Sequence, residues 1–283
     1  MKFYSPLRYP GGKNKLAKFI SLICEKNNIN GHYVEPYAGG ASVALYLLFN
    51  KYVNKITIND IDRSIYAFWY SVLNNVERLC KLIKETKVNL KTREKCKKIQ
   101  LNKGKADLLE LGFSTFFLNR VNVSGILNGG PIGGEKQKGD YKINCRFNKL
   151  DLINRIKNIA KLKNKISLYN LDALDLIRKI QAESKSKKTI FYFDPPYYFK
   201  GDSLYTNFYK DEDHELLRDE IKKIKNFHWI VSYDDVPRIR NLYKSFNSKK
   251  YSFYHTANNP KVGKEILFFD SKLIVPEGNP VKI

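Results

Sequence analysis

Thr189-Ile190-Phe191-Tyr192-Phe193-Asp194-Pro195-Pro196-Tyr197-Tyr198 sets a short β-branched and aromatic run directly before one carboxylate, two prolines and two tyrosines. A run of this length and composition predicts a buried strand over Thr189–Phe193. Asp194 then falls at the carboxyl end of the strand, where open α/β sheets place their ligand crevice. Pro195 and Pro196 have no backbone N–H and a fixed φ, so ladder pairing stops there and carbonyls are left pointing outward. A planar exocyclic amine has two hydrogens to donate. A carboxylate and a proline carbonyl suit both, with Tyr197 stacked on the ring. The plain alternative is turn chemistry, with Tyr197 as rim packing. The tetrapeptide alone does not choose between them.

Outward from this run the chain alternates strands and helices. An amphipathic helix is expected near Asn14–Glu25, with Leu16, Phe19, Ile20 and Ile23 on its apolar face. The stretch His32–Ser42 reads as a strand and a Gly-rich turn leading into the apolar helix Val43–Phe49, and a second strand follows at Lys55–Asn59. Strand, helix, strand at this spacing is a βαβ unit and implies a parallel sheet. Further strand-like runs lie at Lys165–Tyr169, His228–Ser232, Lys250–Tyr254 and Ile266–Phe269. Between the two groups, basic helical stretches surround a Gly-rich segment at Asn119–Gly139. We therefore expect a core from 1–66 and 164–283, with 67–163 inserted.

Composition narrows the partner. Lys+Arg 51 against Asp+Glu 28 gives a formal charge of +23 on 283 residues. The excess is concentrated: residues 81–105 carry ten Lys/Arg against Glu85 and Glu94, and residues 142–165 carry eight against Asp151. Each Lys or Arg that neutralises a phosphate releases a counterion, so a polyanionic partner is expected. Cys24, Cys80, Cys96 and Cys145 are scattered, and His32, His214, His228 and His255 share no ligand spacing, so no metal site is expected. No uncharged apolar stretch reaches membrane-spanning length, and a cytoplasmic location is expected.

The Gly-rich turn holds Gly39 and Gly40 after a strand and ahead of a helix N-terminus, where backbone can approach a ligand closely. It is not the G-x-G-x-x-G fingerprint, and Gly11-Gly12-Lys13 lacks the partners a P-loop requires. A nucleoside-containing ligand remains, its ribose held by an acid at the end of the second strand. Asp60 is placed for that, or for capping the next helix. Asp62 is the better cap, just ahead of Arg63–Tyr70.

Tyr9-Pro10-Gly11-Gly12-Lys13, Val34-Glu35-Pro36-Tyr37-Ala38-Gly39-Gly40, Asn59-Asp60-Ile61-Asp62 and Asp194-Pro195-Pro196-Tyr197 resemble, in this order, the motifs of the DNA adenine-N6 methyltransferase family related to Dam, the D12 class. The resemblance runs from position 7 to about 269. It implies a Rossmann-like methyltransferase core, mostly parallel and seven-stranded, with an inserted, mainly helical target-recognition domain. It also implies S-adenosylmethionine held by Tyr9, Gly11, Gly12 and Lys13, by the turn Glu35, Pro36, Tyr37, Ala38, Gly39, Gly40 and Ser42, and by Asp60. Asp172 matches a weaker position near the cofactor's adenine, with a helix cap as its alternative. Asp194, Pro195, Pro196 and Tyr197 would receive a flipped adenine, Asp194 also bordering the cofactor. Phe116–Gly125 resembles the start of the recognition region, which makes Asn119, Arg120, Asn122 and Ser124 candidates for DNA contact, with ordinary loop capping as the alternative for Asn119, Arg120 and Asn122. Lys261 and Lys264 resemble the family's late basic segment near the target strand. After Arg120 the chain departs from the family pattern, with Val121, Asn122 and Val123 where aromatics are usual.

The implied reaction is methyl transfer to adenine N6 in double-stranded DNA, by an orphan methylase or one paired with a cognate restriction endonuclease, acting as a monomer or weak dimer. An RNA base methyltransferase is the nearest rival, but such enzymes usually lack a large insertion between the two motifs. A non-catalytic nucleic-acid binder on a degenerate core is a third reading, opposed by intact Tyr9, Lys13, Asp60, Asp194 and Tyr197.

Overall fold

The structure is a computed structural model describing residues 4–8, 13–184, 188–198, 209–255 and 261–282, without the side chains of 253–255 and 261–262. Tyr9, Pro10, Gly11 and Gly12, and the side chain of Lys261, lie outside the described residues.

Seven strands form one sheet: β1 (His32–Glu35), β2 (Lys55–Asn59), β3 (Ile166–Tyr169), β4 (Thr189–Phe193), β5 (His228–Asp234), β6 (Asn247–His255) and β7 (Lys261–Phe269). Their order is β3-β2-β1-β4-β5-β7-β6. The β1–β2, β1–β4 and β4–β5 pairs are parallel, while β7 runs antiparallel to both β5 and β6. The expected seven-stranded, mostly parallel sheet is therefore present. Every residue of β4 is buried, as its unbroken apolar run requires of a strand covered on both faces. Sequence periodicity underestimates the last hairpin, whose strands each extend over nine residues.

The chain divides into two compact units, 13–59 with 171–283, and 1–12 with 60–170. In the first, the expected amphipathic helix is α1 (Ala17–Lys26), and the Gly-rich turn leads into α2 (Ser42–Phe49). The second is helical: α3 (Arg63–Asn74), α4 (Val76–Glu85), α5 (Leu90–Leu101), α6 (Leu108–Val121) and α7 (Lys149–Ala160). Asp62 caps α3 by accepting from the Ser64 amide, and Asp107 and Asn148 cap α6 and α7 in the same way. Phe68, Phe116 and Phe147 form the centre of this unit, with ring centroids 5.8 and 5.4 Å apart in sequence order. This unit includes α3, which buries its aromatic face on α6. At their crossing a Cβ on Gly112 would meet the Ala67 carbonyl oxygen at 2.4 Å, so only glycine fits.

The remaining helices, α8 (Ala173–Glu183), α9 (Asp211–Lys222) and α10 (Pro237–Leu242), flank the later strands. Among the described residues no helix is long and apolar enough to cross a membrane.

Candidate active site

β1 ends at Glu35, and the chain turns through Pro36–Ala41 into α2. Gly39 (φ +45°) and Ala41 (φ +48°) take the left-handed conformation there, and the first is why glycine suits the turn. Asn59, the last residue of β2, pins it. Its backbone carbonyl accepts from Ala38 N at 2.8 Å, its Nδ2 donates to the carbonyls of Pro36 and Leu171, and its Oδ1 accepts from Leu171 N. The Glu35 carboxyl accepts from Tyr33 Oη at 2.9 Å and from Ala44 N, in the first turn of α2, at 3.1 Å. Burial nevertheless pushes its pKa up to about 8 against those two hydrogen bonds.

Asp194 stands at the end of β4 with a side chain 25% exposed. Its Oδ1 lies 3.0 Å from Lys13 Nζ and accepts from Ser232 Oγ of β5 at 2.6 Å. Tyr192 Oη donates to Ser232 Oγ at 3.0 Å, which fixes the rotor that reaches Asp194. Among the described residues nothing donates to Asp194 Oδ2. Beyond the two prolines, Tyr198 N donates to Asp234 Oδ1 at 3.0 Å, anchoring the stretch to the end of β5.

Lys13 is buried and does not serve Asp194 alone. Its Nζ donates to Tyr197 Oη at 3.1 Å and to Glu265 Oε1 at 3.2 Å, and sits 5.0 Å from the Tyr197 ring centre. Glu265 also accepts from the hydroxyls of Tyr197 and Tyr251. Burial alone would lower the Lys13 pKa, but Asp194 and Glu265 together outweigh it and raise it, so the ammonium stays charged. For Asp194 burial raises the pKa and Lys13 opposes it. Two carboxylates thus share one buried ammonium.

The other sequence candidates fall into three groups. Pro36, Tyr37, Ala38, Gly40 and Ser42 belong to the pinned turn and the start of α2, and Tyr37 Oη shares a 2.7 Å hydrogen bond with Tyr209 Oη. Asp60 Oδ1 accepts from Asp62 N at 3.0 Å, and Asp172 caps α8 through Leu174 N at 2.8 Å, which is the helix-cap alternative for Asp172.

Of the recognition candidates, Asn119 and Asn122, read as DNA contacts or loop caps, are buried braces. The Asn119 side chain accepts from Arg8 N and donates to the carbonyls of Arg8 and Gly125. Asn122 accepts from Arg93 Nε and donates to the carbonyls of Ile126 and Leu127. The physical reason is local, since the chain reverses after α6 and its loop carbonyls need donors. Arg120 Nε donates to the Arg146 carbonyl at 2.7 Å. Burial, with Arg8 and Arg155 nearby, brings its pKa down to about 10, still protonated at neutral pH. Ser124 is half-buried in a left-handed conformation (φ +56°), and Lys264 is exposed on β7.

Sequence reasoning missed Ser232, Asn59, Arg93, Tyr251 and Glu265. The last carried a signal, as a single acid within the apolar end of β7. Arg93, buried, donates to Asn122, to the Gly129 carbonyl at 2.8 Å and to Glu94, clamping the loop that follows α6.

A family model described as D12 class N6 adenine-specific DNA methyltransferase matches residues 9–255. The Type II methyltransferase M.MjaIII of Methanocaldococcus jannaschii is 26% identical over 266 residues, which span 86% of this chain and 89% of that protein. Among solved structures, a putative RNA methyltransferase, PH1948, from Pyrococcus horikoshii aligns with a TM-score of 0.43 at 12% identity, covering 95% of this chain and 88% of that one. The rRNA methyltransferase aviRa from Streptomyces viridochromogenes aligns with a TM-score of 0.40 at 12% identity, over 92% and 85% of the two chains.

Proposed function

The chain belongs to the D12 class N6 adenine-specific DNA methyltransferase family and is an adenine-specific DNA methyltransferase; on that premise we propose that it methylates an adenine flipped out of duplex DNA, with S-adenosylmethionine as donor and Asp194 and the Pro195 carbonyl as acceptors of the two N6 hydrogens. The observation that carries this reading is the division of labour on Asp194. Lys13 and Ser232 hold Oδ1, while Oδ2, at the partly exposed end of β4, accepts from none of the described residues.

The chemistry follows from the amine. The N6 lone pair is delocalised into the purine ring and is a poor nucleophile. Accepting both hydrogens favours a pyramidal nitrogen whose lone pair can be aimed, and orientation of this kind supplies much of an enzymatic rate enhancement. Asp194 need not be a strong base, because the N6 proton becomes acidic only as the methyl arrives. The target atom is buried in the stack, so the base must leave it, and Tyr197 is the stacking platform.

The site's own chemistry fits the donor. Two carboxylates against one ammonium leave a surplus negative charge in the buried cluster, which suits a sulfonium cation, and the turn after β1 offers backbone polar groups. When bound, S-adenosylmethionine supplies an electrophilic methyl group. Tyr9, Gly11, Gly12, Lys13, the turn Glu35–Gly40, Ser42 and Asp60 would hold it, and Asp172 would steady that region by capping α8.

The inserted segment, expected at 67–163, is the target-recognition part in this reading, with Arg120 and Ser124 as DNA contacts and Asn119 and Asn122 bracing the loop; Lys261 and Lys264, on β7, add contacts from outside it. The Type II name of the Methanocaldococcus jannaschii relative supports a modification enzyme paired with a restriction endonuclease. In this reading it acts in the cytoplasm, as a monomer or weak dimer.

The test supplies labelled S-adenosylmethionine with unmethylated duplex DNA or RNA and maps the product base. Label at adenine N6 of DNA is expected, and Asp194→Ala should lower transfer by at least about a thousandfold while cofactor and DNA affinities stay within severalfold. Label in RNA only, or near-wild-type transfer by the variant, would overturn the assignment.

A further inference from the structure

We infer that Glu265, carried on β7, is a positioning residue for methyl transfer: it fixes the Tyr197 ring through its hydroxyl and holds Lys13 off the free face of Asp194. Of the recognised motifs, Lys13 also donates to the Tyr197 hydroxyl, at 3.1 Å, and Glu265 holds both groups at once. Pro196 sets where Tyr197 leaves the chain, yet the ring can still turn about its side-chain torsions. The hydroxyl tether to Glu265 removes that freedom.

Glu265 can serve as a fixed point because both of its oxygens are taken. Oε1 accepts from Lys13 and Tyr197, and Oε2 accepts from Tyr251, which lies directly opposite it in the β6–β7 register. The carboxylate is buried, so these bonds do not compete with water.

Its second task concerns charge. Lys13 Nζ is shared between Asp194 Oδ1 at 3.0 Å and Glu265 Oε1 at 3.2 Å. Without the Glu265 charge the ammonium has a single anionic partner and is drawn onto Asp194, where it can engage both oxygens. Oδ2 is the oxygen the incoming amine requires. Loss of Glu265 should thus slow transfer without removing any group that touches the base's reacting atom.

The inference rests on the roles proposed for Asp194 and Tyr197, and its test separates the two. In the full chain, Glu265→Gln and Tyr251→Phe are compared with wild type for kcat, KM for DNA, cofactor affinity by calorimetry, melting temperature, and emission from duplex DNA carrying 2-aminopurine at the target. For Glu265→Gln, kcat should fall about 10- to 100-fold, with KM and cofactor affinity changed less than about threefold, the signature of an interaction realised in the transition state. Emission should at least roughly double, because a ring whose hydroxyl has lost its charged acceptor is held less firmly, stacks less and quenches less. Tyr251→Phe, which leaves Lys13 and Tyr197 on Glu265 but removes the brace, should lose about threefold in kcat.

If Glu265→Gln keeps kcat and emission within about twofold of wild type while Asp194→Ala is inactive, this inference fails and the Asp194 assignment stands. A parallel fall in kcat, KM, cofactor affinity and melting temperature would also refute it, since that pattern belongs to a purely structural residue. Active Asp194→Ala would instead bring down the underlying reading.

Discussion

Replacing Glu35 by glutamine should change how the stability of the fold depends on pH. Burial raises this carboxyl from 4.5 to about 8. A carboxyl whose folded pKa lies above its unfolded value contributes stability that is fully present below pH 4.5 and is lost as pH rises through 8. Over pH 5 to 7 the unfolded chain releases this proton while the folded one largely keeps it. With 1.36 kcal/mol per pH unit and a folded pKa of about 8, the wild type should lose about 2.5 kcal/mol over that span through this group alone. Glutamine cannot titrate, yet its Oε1 can still accept from Tyr33 Oη and Ala44 N. Urea unfolding followed by circular dichroism at pH 5, 6, 7 and 8 gives the difference between the two proteins at each pH. The Glu35→Gln protein should gain on the wild type by about 2 to 3 kcal/mol between pH 5 and 7. A difference constant across the series would mean that Glu35 is ionised in the folded protein and that burial does not hold its proton.

Asp172→Ala should cost about 1 kcal/mol of stability through loss of the α8 cap, and a tenfold loss of cofactor affinity by calorimetry would instead make Asp172 a ligand. Gly112→Ala drives a Cβ into the Ala67 carbonyl and Ser71 Oγ, so denaturant melts should show about 1–3 kcal/mol of destabilisation, and a silent variant would mean the crossing can open freely. Arg120→Ala should weaken DNA binding equally across sequences and reduce the slope of log affinity against log salt by roughly 0.9, measured by fluorescence anisotropy; an unchanged slope would remove Arg120 from the phosphate contacts.

Much of this fold was legible because its strands are strongly apolar and bounded by turn residues. Thr189–Phe193, Lys55–Asn59 and the Gly-rich turn were readable within a residue or two. The Asp194–Tyr197 tetrapeptide was legible as a pattern, and its neighbours were not. Ser232 sits in an apolar strand where serine carries no periodic signal, and its bond to Asp194 exists only because β4 and β5 are adjacent and in register. Glu265 was hidden for a related reason. Read locally, Lys261–Leu267 is a basic segment, and only its pairing between β5 and β6 makes it strand and buries its acid. Asn119 and Asn122 misled in the opposite direction. Polar side chains after a helix in a basic segment suggest a surface, whereas the sharp reversal after α6 turns them inward.

The Lys13–Glu265 contact joins groups 252 positions apart, and this affects how the enzyme comes into being. At about 5–20 residues per second, Lys13 leaves the peptidyl-transferase centre roughly 13 to 50 s before its second carboxylate does. Until then β7 is absent, β5 has no antiparallel neighbour on that side, and the ammonium has only Asp194 as a buried anionic partner. The pocket is therefore completed only once β7 has been made, and a chain interrupted ahead of Glu265 would carry the Asp194–Tyr197 motif and those before it without the architecture that aligns them.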